Sequence, residues 1–178
     1  MVQHTVINSG SVSKVAVSYT TGGSISSGSQ YASYPVGYSA DNPHEYTSNM
    51  YSSSGNTGHV DYEFDFSDIP NNATITNITV RVNGRRENAA IDSSHIARIE
   101  LYSSSTLKSV AQEFTSTADH IITIDNPGSW TRSELQSAIV RFTVGYYGGR
   151  CYGISWDVEY TLPTSTNQYY WTYTLTNL

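Results

Sequence analysis

The strongest constraint on the fold is a strict two-residue alternation late in the chain. Ile154, Trp156, Val158, Tyr160 and Leu162 are apolar, and Ser155, Asp157, Glu159 and Thr161 between them are polar. Successive side chains of a strand point to opposite faces, so as a β-strand this run buries one face and wets the other. A helix would scatter the same apolar residues around its circumference. The pattern recurs. Val60, Tyr62, Phe64 and Phe66 alternate with Asp61, Glu63 and Asp65. Ile78, Val80 and Val82 form a third run, and Ile75, of opposite parity, is reconciled with them by a bulge near Thr76-Asn77.

Further strands are predicted at Ala97–Leu101, over Leu107–Phe114, at Ile121–Ile124 and over Val140–Tyr146. Turn chemistry separates them: Ile69-Pro70-Asn71-Asn72, Asn83-Gly84, Asn126-Pro127-Gly128 and Gly148-Gly149. Thr131-Arg132-Ser133-Glu134 fits a capping box that opens one or two helical turns, with Leu135, Ala138 and Ile139 inward. Composition agrees: 27 Ser, 20 Thr and 15 Tyr among 178 residues, with 13% charged, favour pleated strands over helices. The expected fold is all-β, an antiparallel β-sandwich of jelly-roll type with one short helix.

Three segments are expected. Residues 1–59 are polar and Gly/Ser-rich, with Val15, Val17 and Tyr19 sharing one parity, and read as a strand-and-loop region and a possible attachment arm. Residues 60–163 form the sandwich core. Residues 164–178 carry an extra strand, with Tyr169, Trp171 and Tyr173 on one side, suited to a subunit or shell contact.

Charge and cysteine content narrow the function. A net charge of −6 with two lysines disfavours a sequence-blind nucleic-acid binder. No apolar run is long enough to span a membrane, and from Met-Val-Gln-His no secretory leader is expected. A single cysteine, Cys151, excludes an internal disulfide and a cysteine-based zinc cluster. Its neighbour Arg150 would lower its pKa modestly, but a structural thiol is the preferred reading.

The block FDFSDIPNNATITNITVRVNGR (64–85) resembles a strand–turn–strand of structural proteins from tailed phages of Gram-positive bacteria. ARIELYSSSTLKSVAQEFTST (97–117) looks like that family's hairpin. PGSWTRSELQSAIVRFTV (127–144) is similar to its helix and strand, and YGISWDVEYT (152–161) to its closing strand. The resemblance implies a virion component: a jelly-roll domain displayed on the phage particle as head decoration, head fibre, or tail and baseplate appendage. The expected function is a non-enzymatic protein made in the host cytoplasm and displayed on the particle's outer surface, foremost as capsid (head) decoration. Implied partners are the major capsid protein or other virion subunits, and further copies of the chain in a homo-oligomer. The alternative is a tail or baseplate module that recognises host cell-wall carbohydrate.

Candidate sites are few. Interface roles fall to Tyr169, Trp171, Tyr173, Arg85 and Arg86, the arginines as interface or surface ion pairs. Glycan contact falls to Tyr147 and Tyr152, taken as surface aromatics; Tyr146 and Trp156 have core parity, and Trp130 packs as the helix staple. Asp61, Glu63, Asp65 and Asp68 read as a solvated acidic strand face rather than a calcium site. His4, His44, His59, His95 and His120 are scattered without ligand spacing. Asp157 and Glu159 share one face with no identifiable partner across a cleft, as a glycosidase would need. No catalytic residue, metal ligand or cofactor is assigned.

Overall fold

A computed structural model describes residues 4–6, 8–23, 25–27, 34–45, 49–52, 57–89, 96–163 and 165–167. In chain order the elements are β1 (His4–Val6), β2 (Ser9–Lys14), β3 (Ser18–Gly23), β4 (Ile25–Ser27), β5 (Met50–Ser52), β6 (Gly58–Glu63), β7 (Thr74–Arg86), β8 (Ala97–Ser103), β9 (Thr106–Leu107), β10 (Gln112–Glu113), β11 (His120–Asp125), α1 (Arg132–Leu135), β12 (Ala138–Val144), β13 (Gly149–Thr161) and β14 (Ser165–Asn167). They build an antiparallel β-sandwich of jelly-roll type. One sheet runs β10-β8-β12-β6-β3, with β9 also on β8. The other runs β11-β7-β13-β5-β4, with β2 also on β13. A separate two-stranded sheet joins β1 to β14.

The core lies between the two sheets and follows strand parity. Val60, Tyr62, Val80, Val82, Leu101, Val140, Phe142, Ile154, Trp156 and Val158 all point into it. Trp156 is its centre: the rings of Phe64, Phe66 and Trp130 lie 5.3, 5.6 and 5.3 Å from it, the last edge-on. Trp130 immediately precedes a complete capping box. Thr131 accepts from the Glu134 backbone N–H, and Glu134 accepts from the Thr131 backbone N–H. The box fixes the entry angle of α1 and thereby seats Trp130 in the core.

The expected bulge falls at Thr76. Glu159 pairs with Asn77 and Tyr160 with Ile75, so Thr76 has no partner and Ile75 returns to the core side. A second irregularity lies at Tyr152, between the pairs Cys151–Gly84 and Gly153–Asn83.

Several expectations are corrected. β6 ends at Glu63, although Phe64 and Phe66 stay buried; the Asp65 carboxylate accepts from the Ser67 backbone N–H and turns the chain out of the ladder. Asn83-Gly84 does not close a strand, because β7 continues to Arg86. Gly84 serves close approach instead: a Cβ there would stand 2.5 Å from the Arg150 carbonyl oxygen. The segment 107–114 makes only two short ladders, and Val110 is 80% exposed. Ala138 and Ile139 belong to β12 rather than to the helix.

The N-terminal region contributes β2 to one sheet and β3 to the other. The chain crosses between sheets at residues 15–17. There Ala16 is the buried residue while Val17 and Tyr19 are exposed, the reverse of the expected parity. Tyr169, Trp171 and Tyr173 lie outside the described residues.

Candidate functional site

The outer face of the second sheet carries a cleft of about 410 Å³ over β2, β13 and β7. Ser11 and Ser13 come from β2, Asp157 and Glu159 from β13, and Asn77, Thr79 and Arg81 from β7. Each has the parity opposite to the core residues of its strand, which is why polar side chains collect here. The pairs Asp157–Ser13, Asp157–Thr79, Glu159–Ser11 and Glu159–Asn77 set them side by side across the sheet.

The polar groups are held by one another. Arg81 donates from Nη2 to Asp157 Oδ2 at 3.0 Å and pairs through Nη1 with Asp41 Oδ2 at 2.9 Å. Ser13 Oγ donates to Asp157 Oδ1. Thr79 Oγ1 donates to Asp125 Oδ1 at 2.9 Å. Asp41 belongs to a segment clamped across the sheet: the Ala40 N–H donates to Ser155 Oγ at 2.9 Å, and Asn83 Nδ2 donates to the Ala40 carbonyl at 3.0 Å. That segment meets the cleft through the Arg81–Asp41 pair. At the other side the cleft continues into a space of about 310 Å³ beside Ser9, Ser11, Glu159 and Tyr160. Another, of about 240 Å³, is lined by Asn77, Asn126 and Trp130.

The opposite sheet displays a charge lattice on its outer face. Arg141 forms two parallel hydrogen bonds to Asp61, at 2.7 and 2.8 Å, and lies 4.6 Å over the Tyr102 ring. Glu100 is the direct neighbour of Arg141 on β8, as Asp61 is on β6. His59 lies 3.9 Å from Asp61. Burial, and after it the Arg141 charge, lowers the His59 pKa against the pull of Asp61 and Glu100. The acidic strand face expected here as solvated is therefore mixed. Asp61 is buried and paired, whereas Glu63 and Asp65 are exposed. Among the described residues no group of three or more His, Cys, Asp or Glu is placed to hold a metal ion.

The sequence-predicted sites separate in space and character. Tyr147 is 44% exposed and meets Tyr146 edge-on at 5.2 Å. Tyr146, expected in the core, is 49% exposed because β12 ends two residues before it. Tyr152, expected at the surface, is only 7% exposed. Burial pushes its phenol up to about 12, with Arg85 acting the other way. Arg85 makes the expected surface pairs, to Glu87 at 2.8 Å and to Asp119 at 3.2 Å. Arg86 makes none among the described residues: it is buried and donates to the Ala89 carbonyl at 2.8 Å. Cys151 is buried too, and burial raises its thiol to about 12 rather than lowering it, which leaves it unreactive.

The cleft residues were not grouped by sequence reasoning. Asp157 and Glu159 share a face in the sequence pattern, but Ser11, Ser13, Asn77, Thr79 and Arg81 lie far away along the chain. The outward parity of each strand was the available signal; strand order, which the sequence does not spell out, was the missing one.

The molecule is thus a β-sandwich whose two outer faces carry ordered polar lattices. No protein-family model and no curated protein sequence matches it. Among solved structures it is similar to a family 35 carbohydrate-binding module from Clostridium thermocellum. That likeness has 10% identity and a TM-score of 0.44 over 84% of this chain and 97% of the other. It is also similar to the Stig cyclase Fisc from Fischerella sp. TAU, with 14% identity and a TM-score of 0.40 over 84% of this chain and 85% of the other.

Proposed function

We propose that the chain is a non-enzymatic structural protein on the exterior of a tailed-phage virion, foremost a decoration of the capsid head. One observation supports this reading above others. The four blocks that resemble the phage family become the sandwich's main hydrogen-bonded elements: β7, β8, α1 with β12, and β13. The resemblance therefore follows two adjacent strand pairs, β8 with β12 in one sheet and β7 with β13 in the other, rather than scattered turns. Decoration acts through additive binding: each copy that holds only the assembled shell stabilises it by mass action.

Immunogold labelling of intact particles of the encoding phage, with antibody to this chain, tests the reading. Label spread over the head is the expected result. Label confined to the tail tip moves the protein to host attachment, and particles without label overturn the virion assignment.

The second reading is attachment to cell-wall carbohydrate. The polar cleft over β2, β13 and β7 favours it. The Tyr147–Tyr152 pair does not, since burial of Tyr152 leaves only one of the two rings exposed.

A further inference from the structure

We propose that the outer face of β2, β13 and β7 is a binding site for a neutral, hydroxyl-rich saccharide, with Asn77, Glu159 and Ser11 as its contact residues. The inference deepens the carbohydrate reading and holds wherever on a particle the chain is displayed.

Shape comes first. The central cleft of about 410 Å³ shares Ser11 and Glu159 with one side cleft and Asn77 with another, so an extended ligand of several rings can lie across the sheet. The donor set comes next. Vicinal hydroxyls are recognised by planar groups that hydrogen-bond through two atoms at once, and here an amide, a carboxylate and serine hydroxyls stand on neighbouring strands about 4.8 Å apart. Among the described residues the Glu159 carboxylate and the Asn77 amide have no side-chain hydrogen-bond partner, while Arg81, Asp157 and Thr79 are already fixed by theirs. The fixed groups form a rigid floor and the others remain available, which lowers the ordering cost of binding.

Charge selects among ligands. Arg81 is the cation of the cleft, against Asp157 and Glu159 within it and Asp41 and Asp125 at its margins. The face is net negative and repels polyphosphate and nucleic-acid backbones; uncharged hydroxyls carry no such penalty. A peptide fits poorly. The lining offers apolar atoms only from Val12 and Val158, whose side chains pack toward the core, and strand addition requires an edge rather than a face. Tyr160 at one end and Trp130 at the other are the nearest aromatic walls. Single-site affinity is therefore modest, and many copies on one surface would strengthen it through avidity.

Affinity electrophoresis of the full chain in gels containing dextran, β-glucan or glucomannan, with dextran sulfate as the polyanion, tests the site. Retardation by at least one neutral polymer and none by dextran sulfate is expected. Asn77→Ala/Glu159→Ala should weaken it by about tenfold or more at an unchanged melting temperature. Ser11→Trp, which fills the cleft from an exposed edge position, should do the same, and Val110→Ser should not. No retardation, retardation by dextran sulfate alone, or retardation indifferent to both cleft variants overturns the proposal. Sedimentation with host cells separates it from the attachment reading. Cell binding that ignores the cleft variants keeps attachment and removes the cleft; polymer binding without cell binding does the reverse.

Discussion

The Arg141 guanidinium and the Asp61 carboxylate face each other across neighbouring strands in a two-point ion pair, with hydrogen bonds of 2.7 and 2.8 Å. Asp61 is nearly buried, and Glu100 stands on the far side of Arg141. Truncating the cation leaves the nearly buried Asp61 carboxylate without its two-point partner. Arg141→Ala should therefore destabilise the fold by about 1.5–3 kcal/mol, the range for hydrogen bonds to charged groups. A double-mutant cycle with Asp61→Ala, read by urea unfolding, should recover much of that as coupling. Coupling near zero would mean that the pair is incidental to stability.

His59 reports on the same lattice. Its folded pKa lies below the ordinary value because burial and Arg141 both disfavour the imidazolium. The native state then binds fewer protons than the unfolded one. The contribution to stability is complete above the unfolded pKa of about 6.5 and is lost as pH falls below it. NMR titration should place His59 below that value in the native protein. In Arg141→Ala the titration should move upward; a downward move would contradict the lattice geometry.

Trp156 anchors the core through Phe64, Phe66 and Trp130. Trp156→Ala should cost about 3–5 kcal/mol, the usual loss for a fully buried large aromatic. A near-native denaturation midpoint would place Trp156 outside the core.

Legibility of the fold tracked how local each determinant is. Trp156, the Thr76 bulge and the Thr131–Glu134 capping box are written in spacings of a few residues and were readable. Tyr152 was not: it shares the parity of Ile154 and Trp156, but the bulge in β13 puts Cys151 in the core in its stead, and Tyr152 is buried outside the core cluster by contacts the sequence does not announce. Tyr146 kept the right parity but fell past the end of its ladder. Arg86 looked like a surface charge because the backbone carbonyl of Ala89 that receives it lies in a turn with no sequence signature. The cleft was least legible, since Ser13 meets Asp157 only through the pairing of β2 with β13.

Gly153 gives a direct handle on that cleft. A Cβ at this position would fall on the Ser39 carbonyl oxygen, a backbone atom that cannot swing aside. Ser39 sits between Tyr38, whose carbonyl accepts from the Ile154 N–H, and Ala40, clamped by Ser155 and Asn83. Gly153→Ala should destabilise by about 1–3 kcal/mol, as overpacking does. It should also displace the segment carrying Asp41. Hydrogen exchange at Ala40 and Ile154 should speed up, with the amides of β8 and β12 unchanged. Unaltered protection at Ala40 would show that the segment is not held as described.

Glu134 makes acid sensitivity specific to one end of the sandwich. Its carboxylate accepts from Lys108 Nζ at 2.7 Å and from the Thr131 backbone N–H at 2.8 Å, and Lys108 also lies 5.0 Å over the Trp130 ring. The Lys108 hydrogen bond first, and the Thr131 N–H next, bring the Glu134 pKa down from 4.5 to about 2. A depressed carboxylate contributes stability that is present above its unfolded pKa and lost as pH falls through the folded one. The window is thus between pH 4.5 and about 2. In Glu134→Gln the fall in stability across that window should be shallower, with part of the loss already present at neutral pH because the Lys108 ion pair is gone while the glutamine oxygen still accepts from the Thr131 N–H. Thermal melts at pH 7, 4 and 3, together with Trp fluorescence to follow Trp130, would register it. Parallel pH profiles for the two proteins would show that the depressed carboxylate belongs to another residue.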